Sequence, residues 1–497
     1  MELLYSLYFF LEKINYIKIF HEIFRYLIDF LVVSFIDSLN YLLYYYYLER
    51  ITLMDYKTLF SKTPPTKLFL FAAIPGSIGM LASALYQLID GILVGRILGD
   101  TAFAALNLAM PLVIINFSLA DLIGVGASVP ISIRLGEKKE KEANNLFTCS
   151  CLLIVGTSLL FGGLMFLLAP PLIHFMGAKA ELAQLAIAYL RVYALCAPVT
   201  TIIFAVDNYL RICGKIRGSM FLNIFMSILT AVLEFIFLYL FDWGIWAAAL
   251  ATCSGMFICS LIAFYPFFRG KLQLRFCKPQ FHMAMIKQII LCGSPNFLNN
   301  IAARITSIFM NILLLRMGGE IAVSVYGILM FADGFVQPLL YGMCDSLQPA
   351  IGYNWGTRDY SRVKAIAKRC FIASFVLSIA SAIVIIAFPE QLVHLFTSNA
   401  DGALMDMAVI ALLLFSTTYI TRWFSFATQS FMAAIEQPIF ASIISISTAL
   451  LFPILMVILL WPMGLNGLWL NMPTTALLSA ILSIIILKRF QKMQQKN

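Results

Sequence analysis

Residues 96–102 read RILGDTA and residues 316–322 read RMGGEIA, the same short segment met twice, 220 positions apart. The register persists without a gap. SIRLGEKKEKEAN (Ser132–Asn144) falls opposite GYNWGTRDYSRVK (Gly352–Lys364), Gly136 on Gly356, and PPLIHFMG around His174 falls opposite EQLVHLFT around His394. A repeat of half a chain marks two copies of one structural unit. Around these markers the apolar runs lie near 68–95, 102–130, 145–170, 182–211, 216–241, 244–268, 286–316, 322–352, 366–388, 404–434, 437–461 and 464–488. A spanning helix needs about 20 apolar residues. The expected fold is therefore an all-α membrane protein: twelve transmembrane helices in two homologous six-helix bundles, an N-lobe and a C-lobe.

Composition agrees. Of 497 residues, 61% are hydrophobic and 12% charged, and the mean hydropathy is +0.91, which excludes a soluble globular domain. The apolar runs are continuous rather than alternating, which excludes a membrane barrel. The net charge of +9 comes from short loops rather than one basic surface, so no nucleic-acid partner is expected. Alternate loops hold 24 Lys and Arg residues, Arg211 between helices 4 and 5 among them, whereas the opposite loops hold Arg96, Lys179 and Arg316. By the positive-inside rule both ends of the twelve-helix unit are cytoplasmic in the cell membrane.

Residues 1–53 stand outside this frame, a Tyr- and Phe-rich stretch broken by charges. They read as an N-terminal extension and a mis-called start, with Met54 the favoured beginning; an interfacial helix is the alternative. The N-lobe then covers 54–268 with helices 1–6. Residues 269–285 form a cytoplasmic inter-lobe loop, and 286–497 the C-lobe with helices 7–12 and a basic tail. Ten cysteines form neither a CxxC pair nor a metal-ligand cluster. Phosphate-loop, HExxH and GxSxG motifs are absent, so no enzyme, no ATP coupling and no cofactor is expected.

Two same-topology halves suit alternating access, with substrate held between them. An ionisable group inside a span is costly, so it is a functional candidate. Asp90 lies one turn beyond Tyr86 and Gln87, and on helix 5 Asn223, Ser227, Thr230 and Glu234 share one face. Both carboxylates fall toward the outer ends of outward-running helices, where they could meet. Their repeat counterparts are apolar, Met310 for Asp90, so the site belongs to the N-lobe. Asp121, Asp333 and Asp345 could line a central cavity or, for the last two, pair internally with Arg304.

The segments YQLIDGILVGRILG (Tyr86–Gly99), GVGASVPISIRLGEKKEKEA (Gly124–Ala143), VDNYLRICGK (Val206–Lys215), WAAALAT (Trp246–Thr252) and LQPAIGYNWGTRDYSRV (Leu347–Val363) resemble, in order, those of the multidrug and toxic compound extrusion family in its bacterial branches. The resemblance covers residues 68–488. It implies secondary active antiport, exporting amphipathic, often cationic small molecules in exchange for protons or sodium. In the family a helix-1 aspartate with a tyrosine one turn earlier matches Asp90 and Tyr86, an Asn-x-x-x-Asp on helix 5 matches Thr230-x-x-x-Glu234, and a helix-6 threonine matches Thr252. The longer Glu arm and the lost amide depart from the pattern. The expected ion-coupling set is Asp90, Glu234, Thr230, Thr252 and Tyr86, with sodium as an alternative to the proton at Asp90 and Glu234. Gln87, Asn223, Ser227, Met310, Asp333 and Asp345 are expected in the substrate cavity. The lipid bilayer is the only expected partner besides the substrate, and one chain carrying both lobes should function as a monomer. The rival reading is a flippase or exporter of a lipid-linked saccharide or other amphipathic metabolite.

Overall fold

In the computed structural model, residues 56–394 and 402–495 are described. The extension over 1–53, with its alternative start, and Lys496 of the tail lie outside them. Among the described residues there is no strand. Helices 1–6 are Pro65–Leu98, Asp100–Gly136, Glu140–Phe175, Ala180–Ile212, Ile216–Leu240 and Ile245–Phe268. Helices 7 and 8 are the two arms of the segment Met283–Gly356, divided at Gly319, whose φ of 66° and ψ of −160° are non-helical. Gly319 stands in the RMGGEIA repeat where Gly99 (φ 85°) separates helices 1 and 2, so the same glycine-made corner occurs in both halves. Helix 9 is Tyr360–Ala387. Helix 10 is bent by 43° between Gly402–Ser416 and Thr418–Ala434, and helices 11 and 12 are Pro438–Met463 and Asn471–Gln494. All twelve apolar runs thus become helices in two lobes. Most extend beyond the apolar limits into the polar flanking residues.

Apolar packing is distributed unevenly along the bundle axis. One core joins residues of both lobes at the end carrying the basic loops, among them Phe60, Leu68, Ile131, Phe147, Tyr209, Leu347 and Ile435. A second core, around Ala105, Ala186, Leu190 and Ala248, is built from the N-lobe alone. A third, around Leu314, Val325, Leu412 and Phe415, is built from the C-lobe with Ala73 and the partly buried Phe69 added from helix 1. Close inter-lobe approaches follow the same division. A Cβ on Gly293 would meet the Leu122 carbonyl oxygen at 1.8 Å, and one on Gly136 the Tyr353 oxygen at 2.2 Å. The lobes are therefore closed at the basic end, where glycines let the backbones meet, and each keeps its own core at the other.

A short leading helix, Tyr56–Ser61, crosses the closed end. Its Phe60 carbonyl accepts from Asn354 (3.0 Å) and from Arg362 Nε (2.7 Å) of the C-lobe, and the Arg362 guanidinium also reaches the Thr63 carbonyl. Tyr56 stacks edge-on against Tyr353 at 5.8 Å. On the N-lobe side Lys57 pairs with Glu140 at 3.1 Å, and Tyr56 and Leu59 pack on Gly214.

Candidate functional site: a buried carboxyl pair in the N-lobe

Helices 1, 4, 5 and 6 enclose a polar pocket in the half of the N-lobe away from the basic end. Helical spacing places Tyr86 and Asp90 one turn apart on helix 1, and Thr230 and Glu234 one turn apart on helix 5. Asp90 is 3% exposed and Glu234 0%. The two carboxyls interact directly with each other and with the Tyr86 hydroxyl. Tyr86 Oη lies 2.7 Å from Thr252 Oγ1 and 3.5 Å from Glu234 Oε2. Tyr193 of helix 4 also reaches Thr252, and Tyr189 stacks beside it at 5.2 Å. Asp90 Oδ1 and Glu234 Oε1 are buried with no hydrogen-bond donor among the described residues. Among the described residues no Lys, Arg or His pairs with either acid. Two carboxyls this close and this dry leave acceptor capacity for one small cation.

Tyr86, Asp90, Glu234 and Thr252 thus come together. Thr230 does not join them through its hydroxyl, which donates to the Met226 carbonyl of its own helix. Its methyl fills the notch left by Gly255 of helix 6, where a Cβ would approach Thr230 Cγ2 to 2.6 Å. A β-branched Thr follows its i−4 carbonyl in a helix, and that preference overrides the role expected from spacing.

The residues expected in a substrate cavity separate into different settings. Gln87 is exposed on helix 1. Asn223 donates to Asp207 Oδ1 at 2.9 Å, and Ser227 donates to the Asn223 carbonyl. Met310 is 3% exposed inside the C-lobe core, so at the position equivalent to Asp90 the chain packs rather than binds. Asp333 does not pair with Arg304: its Oδ1 accepts from Arg422 at 2.8 Å and from Tyr419 at 2.9 Å. Asp345 accepts from Gln348 and Ser430.

A second charged network was not anticipated. Arg211, counted with the basic loop residues, is 2% exposed and bound to Asp207 one turn back and to Ser219 Oγ. Ser219 and Asn223 complete the Asp207 carboxylate. The signal was present in VDNYLRICGK, as an Asp and an Arg four residues apart on one helix face. Among the described residues, no three His, Cys, Asp or Glu side chains gather as a metal cluster.

A family model described as MatE matches residues 75–236 and again residues 295–459, once in each lobe. The chain belongs to the MatE family. Members are transporters rather than enzymes, and this multi-pass membrane chain is one of them. It is similar to the multidrug export protein MepA of Staphylococcus aureus (strain MRSA252), 26% identical over 435 residues that cover 86% of this chain and 94% of the relative. MepA of Staphylococcus saprophyticus is also 26% identical, over 86% of this chain and 95% of the relative. Among solved structures, a MATE protein in complex with MaL6 superposes with a TM-score of 0.84 at 24% identity, over 89% of this chain and all of that one. An outward-facing multidrug resistance MATE transporter gives 0.81 at 24% identity, over 89% of this chain and 99% of that one. These two share the fold.

Proposed function

We propose that this chain is a multidrug efflux antiporter that exports amphipathic, often cationic molecules across the cell membrane in exchange for a proton or sodium ion, working as a monomer by alternating access. The lobe boundary is placed in residues 269–285 and the basic end in the cytoplasm, so that the conformation described is closed inward and open outward. The observation carrying the reading is the Asp90–Glu234 pair, buried, unneutralised and tied through Tyr86 to helix 1, which also contacts the C-lobe. The MepA relatives, named multidrug export proteins, support the substrate class.

Cation entry from outside neutralises the pair and relaxes the demand for a second positive charge; substrate leaves; helix 1, which carries both Tyr86 and Asp90, transmits the change to the cleft. Each ligand shifts the two-state equilibrium only by its differential affinity for the states. Thr252 and Tyr86 supply neutral oxygens beside the carboxylates, so sodium can occupy the same place with hard ligands. The test is efflux of cationic dyes from vesicles under separately clamped proton and sodium gradients. Asp90→Asn should abolish gradient-driven efflux with insertion intact, since the amide keeps the shape and loses the charge. Undiminished driven efflux by that variant defeats the assignment.

A further inference from the structure

Between helices 6 and 7 the chain leaves regular structure until Met283, yet it is fastened along its length to the first turns of helix 3. The Arg275 amide donates to Asn144 Oδ1 at 2.9 Å, the Cys277 amide to Thr148 Oγ1 at 3.1 Å and the Gln280 amide to Asn145 Oδ1 at 2.8 Å, while Asn145 Nδ2 returns a bond to the Gln280 carbonyl at 2.9 Å. Leu272 and Leu274 are buried in the core of the basic end, and Lys271 and Arg275 are exposed. That alternation is the period of an extended chain. Lys271, Gln273 and Arg275, with Lys57 of the leading helix and Glu140 and Asn144 of helix 3, line a polar cavity of about 430 Å³, a size typical of small-molecule sites.

The charge on this cavity is positive. Lys57, Lys271 and Arg275 face one carboxylate, Glu140, which pairs with Lys57 at 3.1 Å. The cations still outnumber the acids when Asp55, the residue before Tyr56 in the sequence, is counted. Glu137 and Glu142 nearby are taken up by Arg134 and Lys139. Beside the cavity lies an aromatic surface. Phe276, next to Arg275, stacks on Phe268 at 5.1 Å and lies 4.9 Å from Phe147. Phe268 is 71% exposed, and Phe276 and Phe281 are exposed with it. Exposed rings at the ends of spanning helices sit at the level of the lipid headgroups, and basic pockets at that level attract anionic ones.

We infer that this cavity binds the phosphate of an anionic phospholipid, of the phosphatidylglycerol class, from the leaflet at the basic end, with the lipid tails against Phe268 and Phe276. Free phosphate offers the same anion but makes no use of the rings, which favours the lipid. Lys271 and Arg275 supply charge-assisted hydrogen bonds to a phosphodiester, and because the loop is already fastened to helix 3, little ordering is lost on binding. The occupied cavity adds a tie between the leading helix, which supplies Lys57, and helix 3. None of this depends on the exporter reading.

The test uses the full chain, stripped of lipid in an uncharged detergent, with phosphatidylglycerol, phosphatidylcholine and inorganic phosphate as probes. Native mass spectrometry should show phosphatidylglycerol retained about tenfold more tightly than phosphatidylcholine, and Lys271→Gln with Arg275→Gln should remove that preference, as expected for lost charge-assisted bonds. Lys271→Arg with Arg275→Lys should keep it. Lys278→Gln, in the same loop but outside the cavity lining, should leave it within about twofold, as for an ordinary surface change. In the unaltered chain, amide exchange over residues 271–277 should slow with phosphatidylglycerol and not with phosphatidylcholine, a reading that needs no variant. Equal retention of the two lipids, a preference that survives Lys271→Gln with Arg275→Gln, an equal loss in Lys278→Gln, or unchanged exchange over residues 271–277 would overturn the inference. Slowing by inorganic phosphate as strong as by the lipid would overturn it too, because a soluble anion would then be the ligand.

Discussion

Gly293 offers a way to move the lobes without touching any charged group. Its missing side chain is what lets helix 7 meet helix 2: an added Cβ would lie 1.8 Å from the Leu122 carbonyl oxygen, 2.7 Å from its carbon and 3.0 Å from its Cα. All three are backbone atoms, so no side-chain rotation relieves the contact, and the helices must separate by well over an ångström. Overpacking of this kind costs about 1–3 kcal/mol. The intrinsic helix preference for Ala over Gly, about 1 kcal/mol, acts in both conformations and cancels from their ratio. Gly293→Ala should therefore shift the equilibrium away from the closed basic end by roughly 5- to 150-fold, at 1.4 kcal/mol per factor of ten. Spin labels at Lys141→Cys and Lys364→Cys, both exposed on opposite lobes at that end, in a background with the ten native cysteines replaced, would read this as a growing long-distance population. Gly163→Ala on helix 3, whose Cβ would meet nothing within 4 Å, is the control. An unchanged distance distribution in Gly293→Ala would refute the claim that the Gly293–Leu122 contact holds the basic end closed.

Arg362→Ala should loosen the leading helix by removing the donor to Phe60 and Thr63; faster amide exchange over residues 56–63, with the core of helix 9 unchanged, checks it. Asp207→Asn leaves the Arg211 guanidinium buried without its counter-charge, which costs about 3–5 kcal/mol for buried pairs; a lowered melting temperature should result, and an unchanged one would mean that water reaches the site. Asp359 caps helix 9, and its hydrogen bonds from Ser361 and the Arg362 amide hold its carboxyl below the usual carboxylate range. Its contribution is thus complete above about pH 4 and lost as pH falls through the lowered value, so amide protection at Arg362 should fade on strong acidification, and Asp359→Ala should abolish that pH dependence.

The twelve spans were legible because apolar length is a one-dimensional property, and the repeat supplied the two-lobe plan. Asp90 and Glu234 were legible for a related reason: a carboxylate in an apolar run stands out, and 3.6-residue spacing fixes its face. Partner choice was less accessible. Spacing put Thr230, Ser227 and Asn223 on the face of Glu234, but their hydroxyls and amide find acceptors on their own helix or at Asp207, which periodicity alone does not show. Arg211 was read as a loop residue because it precedes Cys213-Gly214-Lys215 at a helix end, whereas an Asp one turn back draws it inward. Arg422 rather than Arg304 meets Asp333 because the rotation of helix 10 against helix 8 is set by packing, which the sequence of either helix does not encode by itself.

The central claim is that Asp90 and Glu234 act as one cation site that opposes substrate. The most direct measurement is the dissociation constant of a cationic dye as a function of pH and sodium concentration for the unaltered chain, Asp90→Asn, Glu234→Gln and the double variant. Groups in one network couple by about 0.5–3 kcal/mol. The account predicts that each single variant flattens the cation dependence, that Glu234→Asp keeps part of it, and that the double variant loses little more than the worse single. A double variant whose loss equals the sum of the two single losses would contradict the shared site and separate the two carboxylates into independent roles.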